Sequence, residues 1–200
     1  MTYDVILKGG LIVDGTGAPS FKGDVGIVDE TIAKIGDLSG AQAEKILDCS
    51  SLVVTPGFID IHNHSDIDIL VVPTADNYIM QGVTTIVIGN CGGTPAPVSE
   101  KNKDLLIESL PPYLKEVSFT WKTFKEYLKT LESVAPSINV AALVGHGTIR
   151  SAVLGLERRE PTNQELEEMR AHVREAMETG CFGLSTGLIY DPGVFSKTEE

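Results

Sequence analysis

The sequence predicts an α/β fold: a small β-rich segment over residues 1–55, then the first half of a (β/α)8 barrel over residues 56–200. Three observations carry this. Short alternating runs punctuated by Gly and Asp fill the first 55 residues. From Phe58 onward, apolar β-branched runs alternate with helical periods, the pattern of a parallel sheet with crossover helices. Four such strands are found, and residues 56–200 supply about half of the roughly 250 residues that a closed barrel takes. The simplest account is the N-terminal part of a longer protein. A self-contained small α/β fold is the rival.

Taken in order, Tyr3 to Lys8 reads as a strand, Gly9-Gly10 as a turn and Leu11 to Val13 as a second strand closed by Asp14-Gly15-Thr16-Gly17. Gly23 to Val28 and Thr31 to Ile35 pair across Asp29-Glu30, and Lys45 to Asp48 with Leu52 to Val54 completes a small antiparallel sheet. Phe58 to Ile61 is the first barrel strand. A helix follows over Thr74 to Gln81, then a buried strand over Val83 to Ile88. Lys101 to Leu110 and Thr123 to Ser133 are helical, the latter through Phe124, Tyr127, Leu128 and Leu131 at helical spacing. Ile138 to Val144 is the third strand. Thr162 to Glu165 forms a capping box that opens a long helix, with Leu166, Met169, Val173 and Met177 as its apolar stripe and Gly180 as its stop. Cys181 to Ser185 is the fourth strand.

Composition narrows the function classes. Twenty-eight acidic residues against 16 basic ones give a net charge of −12, which repels polyanions and argues against nucleic acid as a partner. Hydrophobic residues at 42% and charged residues at 22% fit a globular chain. Three widely spaced cysteines argue against a secreted disulfide framework. The first residues carry no signal-peptide pattern, and no apolar stretch reaches the ~18 residues of a membrane span. A cytoplasmic protein with no membrane partner is the expectation.

The strongest chemical signal is Pro56-Gly57-Phe58-Ile59-Asp60-Ile61-His62-Asn63-His64-Ser65-Asp66. His62 and His64 are two residues apart at the end of an apolar strand, where alternate side chains share a face. At the C-terminal mouth of a parallel barrel, two such imidazoles chelate one divalent metal. Asp60, on the same face, is placed to orient a ligand. The competing reading is a polar turn in solvent. Cys91 follows Ile86 to Asn90 and precedes Gly92-Gly93, at the mouth end of the second barrel strand, and a thiolate there suits zinc. Cys49 and Cys181 read as small buried hydrophobes.

His146 and Arg150 sit in Gly145-His146-Gly147-Thr148-Ile149-Arg150 after the third strand. His146 is open between ligand, substrate contact and structural imidazole; Arg150 between a carboxylate clamp and an ordinary ion pair. His172, mid-helix among charges, reads as solvated surface. Gly183 to Gly193 is rich in turn residues and hydroxyls, and Ser185, Thr186 and Tyr190 are placed to hydrogen-bond a substrate. The letters Gly183-x-Ser185-x-Gly187 match a nucleophile elbow, but no helix start follows, which discounts a serine hydrolase.

Together these motifs resemble the amidohydrolase superfamily, whose members open with a small β-sandwich and continue into a metal-binding (β/α)8 barrel. Within it the likeness is to the N-acyl-D-amino-acid deacylases, through His62 to Asp66, Gly82-Val83-Thr84-Thr85, Gly89-Asn90-Cys91-Gly92, Gly145 to Arg150 and Leu184 to Tyr190. The resemblance implies a β-sandwich segment over 1–55 and metal-assisted deacylation of N-acyl-D-amino acids. It implies His62, His64 and Cys91 as metal ligands, zinc at one tight site with a second, weaker metal left open, and Tyr190 as a substrate contact, beside which Ser185, His146 and Arg150 are candidates for the substrate side. It also implies further ligands and a general-base aspartate beyond residue 200, so that no catalytic base lies in this segment and the segment alone is inactive. The alternatives are a cyclic-amide hydrolase of the hydantoinase or dihydroorotase kind, which should carry a strand-end lysine not found here, and a non-catalytic metal-binding scaffold. Oligomeric state is not legible.

Overall fold

The structure, a computed structural model, describes residues 2–200, which divide into two compact units, one ending at Gly57 and one running from Phe58 to Glu200. In the first unit, β1 (Thr2–Ile12), β2 (Phe21–Val28), β3 (Thr31–Gly36), β4 (Gln42–Asp48) and β5 (Val53–Val54) form one five-stranded sheet. Two sequence expectations need correction here. Gly9-Gly10 does not turn the chain: β1 runs through it, with a register shift against β2 between Leu7 and Gly10. Gly9 takes φ +72, which glycine adopts without cost, and its N–H donates to Asp24 Oδ1 at 2.7 Å, so the chain bulges and continues. The sheet is also mixed, not antiparallel. β4 and β5 both pair with β1 in parallel, because the chain crosses over between β3 and β4 instead of reversing in a hairpin. The β2–β3 hairpin forms across Asp29-Glu30, with Asp29 at φ 51. Tyr3, Ile6 and Leu38 make this unit's core.

In the second unit, β6 (Phe58–Asp60), β7 (Val83–Ile88), β8 (Asn139–Gly145) and β9 (Gly183–Ser185) form a parallel sheet in chain order. Neighbours in sequence are neighbours in space, as successive βα units require. Ile86, Ile88 and Val144 are fully buried at its centre. Between the strands lie α1 (Asp68–Val71), α2 (Asp76–Ile79), α3 (Lys103–Ser109), α4 (Phe124–Ser133), α5 (His146–Leu154) and α6 (Asn163–Thr179). Capping boxes start the two best-defined helices, Thr123 with Glu126 and Thr162 with Glu165. Gly180 at φ +105 ends α6. The buried face of α4 carries Phe124, Tyr127 and Leu131. On α6, Met169 and Ala176 are buried while Met177 is exposed, so the apolar stripe is rotated from the expected one and the small Ala176 makes the close approach.

Phe58 and Ile59 of β6, Ile61 just beyond it, Phe182 beside β9 and Leu184 within it stay exposed, so both outer strands carry uncovered apolar side chains. Among the described residues no helix is long and apolar enough to cross a membrane.

Candidate metal centre

β6 stops at Asp60 because side chains take over its backbone donors. Asp60 Oδ1 accepts from His62 N at 3.1 Å, and Asn63 Oδ1 accepts from Ser65 N at 3.1 Å. These local bonds compete with a strand ladder and coil the segment into a loop. His62 and His64 therefore lie past the strand, yet their rings remain neighbours, with centroids 5.5 Å apart and planes at 72°. Asp60 orients the backbone of His62 rather than its imidazole.

The loop after β7 brings the third donor. Cys91 Sγ lies 3.3 Å from His62 Nε2. One donor atom each from His62, His64 and Cys91 falls within 4.8 Å of the others. Donors sharing one tetrahedral zinc sit roughly 3.3–3.8 Å apart, given bond lengths of about 2.0–2.3 Å. The His62–Cys91 distance falls in this range, and two imidazoles and a thiol are donors that suit zinc better than calcium or magnesium, which take oxygen ligands.

Cys91 holds its place through an unusual backbone. It has φ 57, between Gly89 at φ +80 and Gly92 at φ +75. A non-glycine residue in the left-handed region persists only where its surroundings dictate it. Here they do. Asn90 Nδ2 donates to Val87 O at 2.8 Å and Asn63 O at 3.2 Å, while Asn63 Nδ2 donates to Val87 O at 3.1 Å. Asp66 Oδ1 accepts from Gly89 N at 2.7 Å. These bonds cross-link the histidine loop to the cysteine loop. Tyr127 of α4 donates its hydroxyl to Asp66 O at 2.8 Å and ties both to the helical layer. Burial raises the Asp66 carboxyl to about 6, against hydrogen bonds from backbone N–H groups that pull it down. Asn63, Asp66 and Asn90 lie within the sequence motifs, but their bracing role depends on partners distant in the chain; their only local signal is a polar side chain just past the end of an apolar strand.

Ser185 belongs to the same brace. Its hydroxyl accepts from Gly92 N at 3.0 Å and donates to Gly89 O. Both bonds face the cysteine loop, which makes Ser185 a support for Cys91. Glycines let the three strand-end loops close on one another. A Cβ on Gly187 would come within 1.9 Å of Cys91 O, and one on Gly145 within 2.4 Å of Gly92 O. Gly187→Ala should therefore destabilise the protein by about 1–3 kcal/mol and displace the thiol. Thermal unfolding together with zinc titration of the full-length variant checks this; wild-type values for both would refute the brace.

His146 opens α5 directly after β8, and its Nε2 lies 2.9 Å from Glu200 Oε1. Arg150 is fully buried. Its guanidinium pairs with the Glu200 carboxylate and donates to Arg159 O at 2.5 Å and Glu157 O at 3.4 Å. Ser196 Oγ also donates to Glu200, at 3.1 Å. His146 and Arg150 thus grip the segment after β9 from inside, while His146 Nδ1 and Arg150 Nε, both buried, have no hydrogen-bond partner. Tyr190, on that segment, is 58% exposed. It lines, together with His64, Cys91 and Ser151, a cavity of about 430 Å³. Cys49 and Cys181 are buried apart from the cluster, and His172 is half-buried on α6.

Residues 45–200 match the Amidohydrolase family. The chain is 40% identical over 198 residues to the D-aminoacylase of Alcaligenes xylosoxydans xylosoxydans, covering 99% of this chain and 40% of that protein. A solved structure of a D-aminoacylase, described by its binuclear metal centre, superposes with a TM-score of 0.87 at 40% identity, covering 98% of this chain and 41% of that one. The N-acyl-D-glutamate deacylase of Bordetella bronchiseptica, solved with zinc and a phosphonate mimic of the tetrahedral intermediate, does so with a TM-score of 0.87 at 37% identity, covering 98% and 41%. The chain spans about 40% of the length of the curated relatives it matches. With the half-barrel sheet, its preceding β-sheet and the family match over residues 45–200, this chain belongs to the amidohydrolase family.

Proposed function

We propose that the whole protein to which this chain belongs is a zinc-dependent hydrolase of linear amides that deacylates N-acyl-D-amino acids. On this reading residues 1–55 are the N-terminal β segment and residues 56–200 the N-terminal half of the barrel. The observation that carries it is the gathering of His62, His64 and Cys91 beside a cavity that Tyr190 also lines. The similarity to two deacylases over nearly the whole chain supports the substrate class. Zinc, when held by His62, His64 and Cys91, supplies Lewis-acid polarisation of an amide carbonyl and acidifies a water. The chain's own residues do the positioning. Asn63, Asn90, Asp66 and Ser185 fix the donors in place before any substrate arrives. His146, Arg150 and Glu200 hold the Tyr190 segment. Tyr190 contacts substrate with a hydroxyl that is free to do so. The general base is an aspartate outside residues 1–200.

Against the cyclic-amide alternative, no lysine lines the cavity that holds His64 and Cys91. The discriminating experiment offers full-length protein N-acetyl-D-methionine, its L-enantiomer and a hydantoin. Hydrolysis of the D-compound well above the other two is expected, and preferential hydantoin opening would overturn the reading. Tyr190→Phe should lower kcat/KM by roughly five- to 150-fold, from about 1–3 kcal/mol of lost transition-state binding, with zinc content and melting temperature little changed. Kinetics within twofold of wild type would remove Tyr190 from the site.

A further inference from the structure

A second cavity, of about 420 Å³, adjoins the one already described and shares His64, Gly93, Leu106, Ser109 and Thr148 with it. Its volume falls within the ~300–1,000 Å³ of ordinary small-molecule sites. Most of its wall comes from residues 93–119, the part of the β7–α4 connection that follows the cysteine loop. Ile67, Pro95, Leu106, Leu110, Leu114 and Phe119 make its wall apolar. Asp66 and Asp68 stand on the same wall, and Tyr113 donates its hydroxyl to Asp68 at 3.0 Å.

A scissile amide has two arms. In an N-acyl amino acid one arm is the acyl chain; the other carries the α-carboxylate and the side chain. Two cavities meeting at His64 offer one place for each. Two carboxylates on the apolar cavity disfavour an anionic arm there by like-charge repulsion. The Tyr190 cavity has Asp191 on its wall, but that residue is exposed and well solvated. Resting on the deacylase reading above, we propose that the cavity walled by Leu106, Leu110, Leu114 and Phe119 is the acyl-chain site, and that it selects linear apolar acyl groups longer than acetyl.

The test is a chain-length series, N-acetyl, N-butyryl, N-hexanoyl and N-octanoyl, on one D-amino acid with full-length protein. Wild-type kcat/KM should rise by up to about fourfold for each methylene buried, until the cavity is full. Leu110→Trp, which fills the cavity, should collapse the hexanoyl-to-acetyl ratio to below about threefold. Leu110→Ala, which enlarges it, should move the optimum to a longer chain and serves if the tryptophan variant does not fold. Calorimetry gives a second readout without turnover: hexanoate should bind wild type about tenfold tighter than acetate, and Leu110→Trp should erase that difference. A ratio unmoved by either Leu110 variant, or equal affinities for the two acids, overturns the acyl-site assignment while leaving deacylation standing. Failure of wild type to hydrolyse any member of the series takes down the deacylase reading and this inference together.

Discussion

Cys91→Ala in the full-length protein should strip zinc and abolish hydrolysis. Losing a direct ligand should weaken metal binding by more than the roughly 10–100-fold that loss of a supporting hydrogen-bond partner costs. Only His62 and His64 would remain of the three donors that this segment brings within 4.8 Å. Cys91→Ser should retain some weak binding, since a hydroxyl ionises far less readily than a thiol. The alanine variant should still fold, because the backbone at φ 57 is held by Asn90, Gly89 and Gly92 and not by the sulfur. Elemental analysis beside a thermal melt decides the matter: unchanged zinc would take Cys91 out of the metal site.

Arg150→Leu should be the most destabilising single change outside the metal donors, at about 3–5 kcal/mol. The side chain is fully inside, and the carboxylate it faces is 3% exposed. Truncation leaves the Glu200 charge with His146 and Ser196 as its remaining side-chain partners, and uncovers the carbonyls of Glu157 and Arg159. A double replacement, Arg150→Leu with Glu200→Leu, should recover much of the loss, since a buried pair exchanged for apolar groups is often close to neutral. The same pair predicts acid sensitivity. Burial by itself raises the Glu200 carboxyl, but hydrogen bonds from Arg150 and His146 outweigh it and hold the carboxyl below its ordinary value of 4.5. A carboxyl depressed in the folded state stabilises above its unfolded value and loses that contribution as pH falls through the folded one. Wild type should therefore lose stability below about pH 4.5, and Glu200→Gln should flatten that slope. Urea unfolding at pH 7 and across the acid range measures both effects. A cost near zero for Arg150→Leu would mean that the pair is solvated in solution.

Much of the donor set was legible because ligand chemistry and strand periodicity are both local. An apolar run ending in His62-Asn63-His64, and a β-branched run ending in Gly89-Asn90-Cys91-Gly92, each mark a strand end carrying a metal-capable side chain. Roles that depend on distant partners were not legible. Ser185 looked like a substrate hydroxyl because it sits at a strand end, but its partners, Gly89 and Gly92, lie more than ninety residues away in sequence. Arg150 reads in the sequence as a carboxylate clamp or an ordinary ion pair, and the carboxylate it holds belongs to the protein, fifty residues on.

The order of the four barrel strands, the capping boxes at Thr123 and Thr162 and the residue types of the metal donors were set by patterns a few residues long, which local hydrogen bonding and burial enforce wherever they occur. Three things awaited the folded chain. One was the parallel pairing of β4 and β5 with β1, which alternation along a single strand does not encode. Another was the rotation of α6 that buries Ala176 and exposes Met177, which depends on how α4 and α5 pack against it. The last was the convergence of Gly92, Gly145 and Gly187, where loops from three strands approach so closely that a single Cβ would collide with backbone. A sequence names its neighbours along the chain; which atoms crowd one another across it is settled only when the sheet has formed.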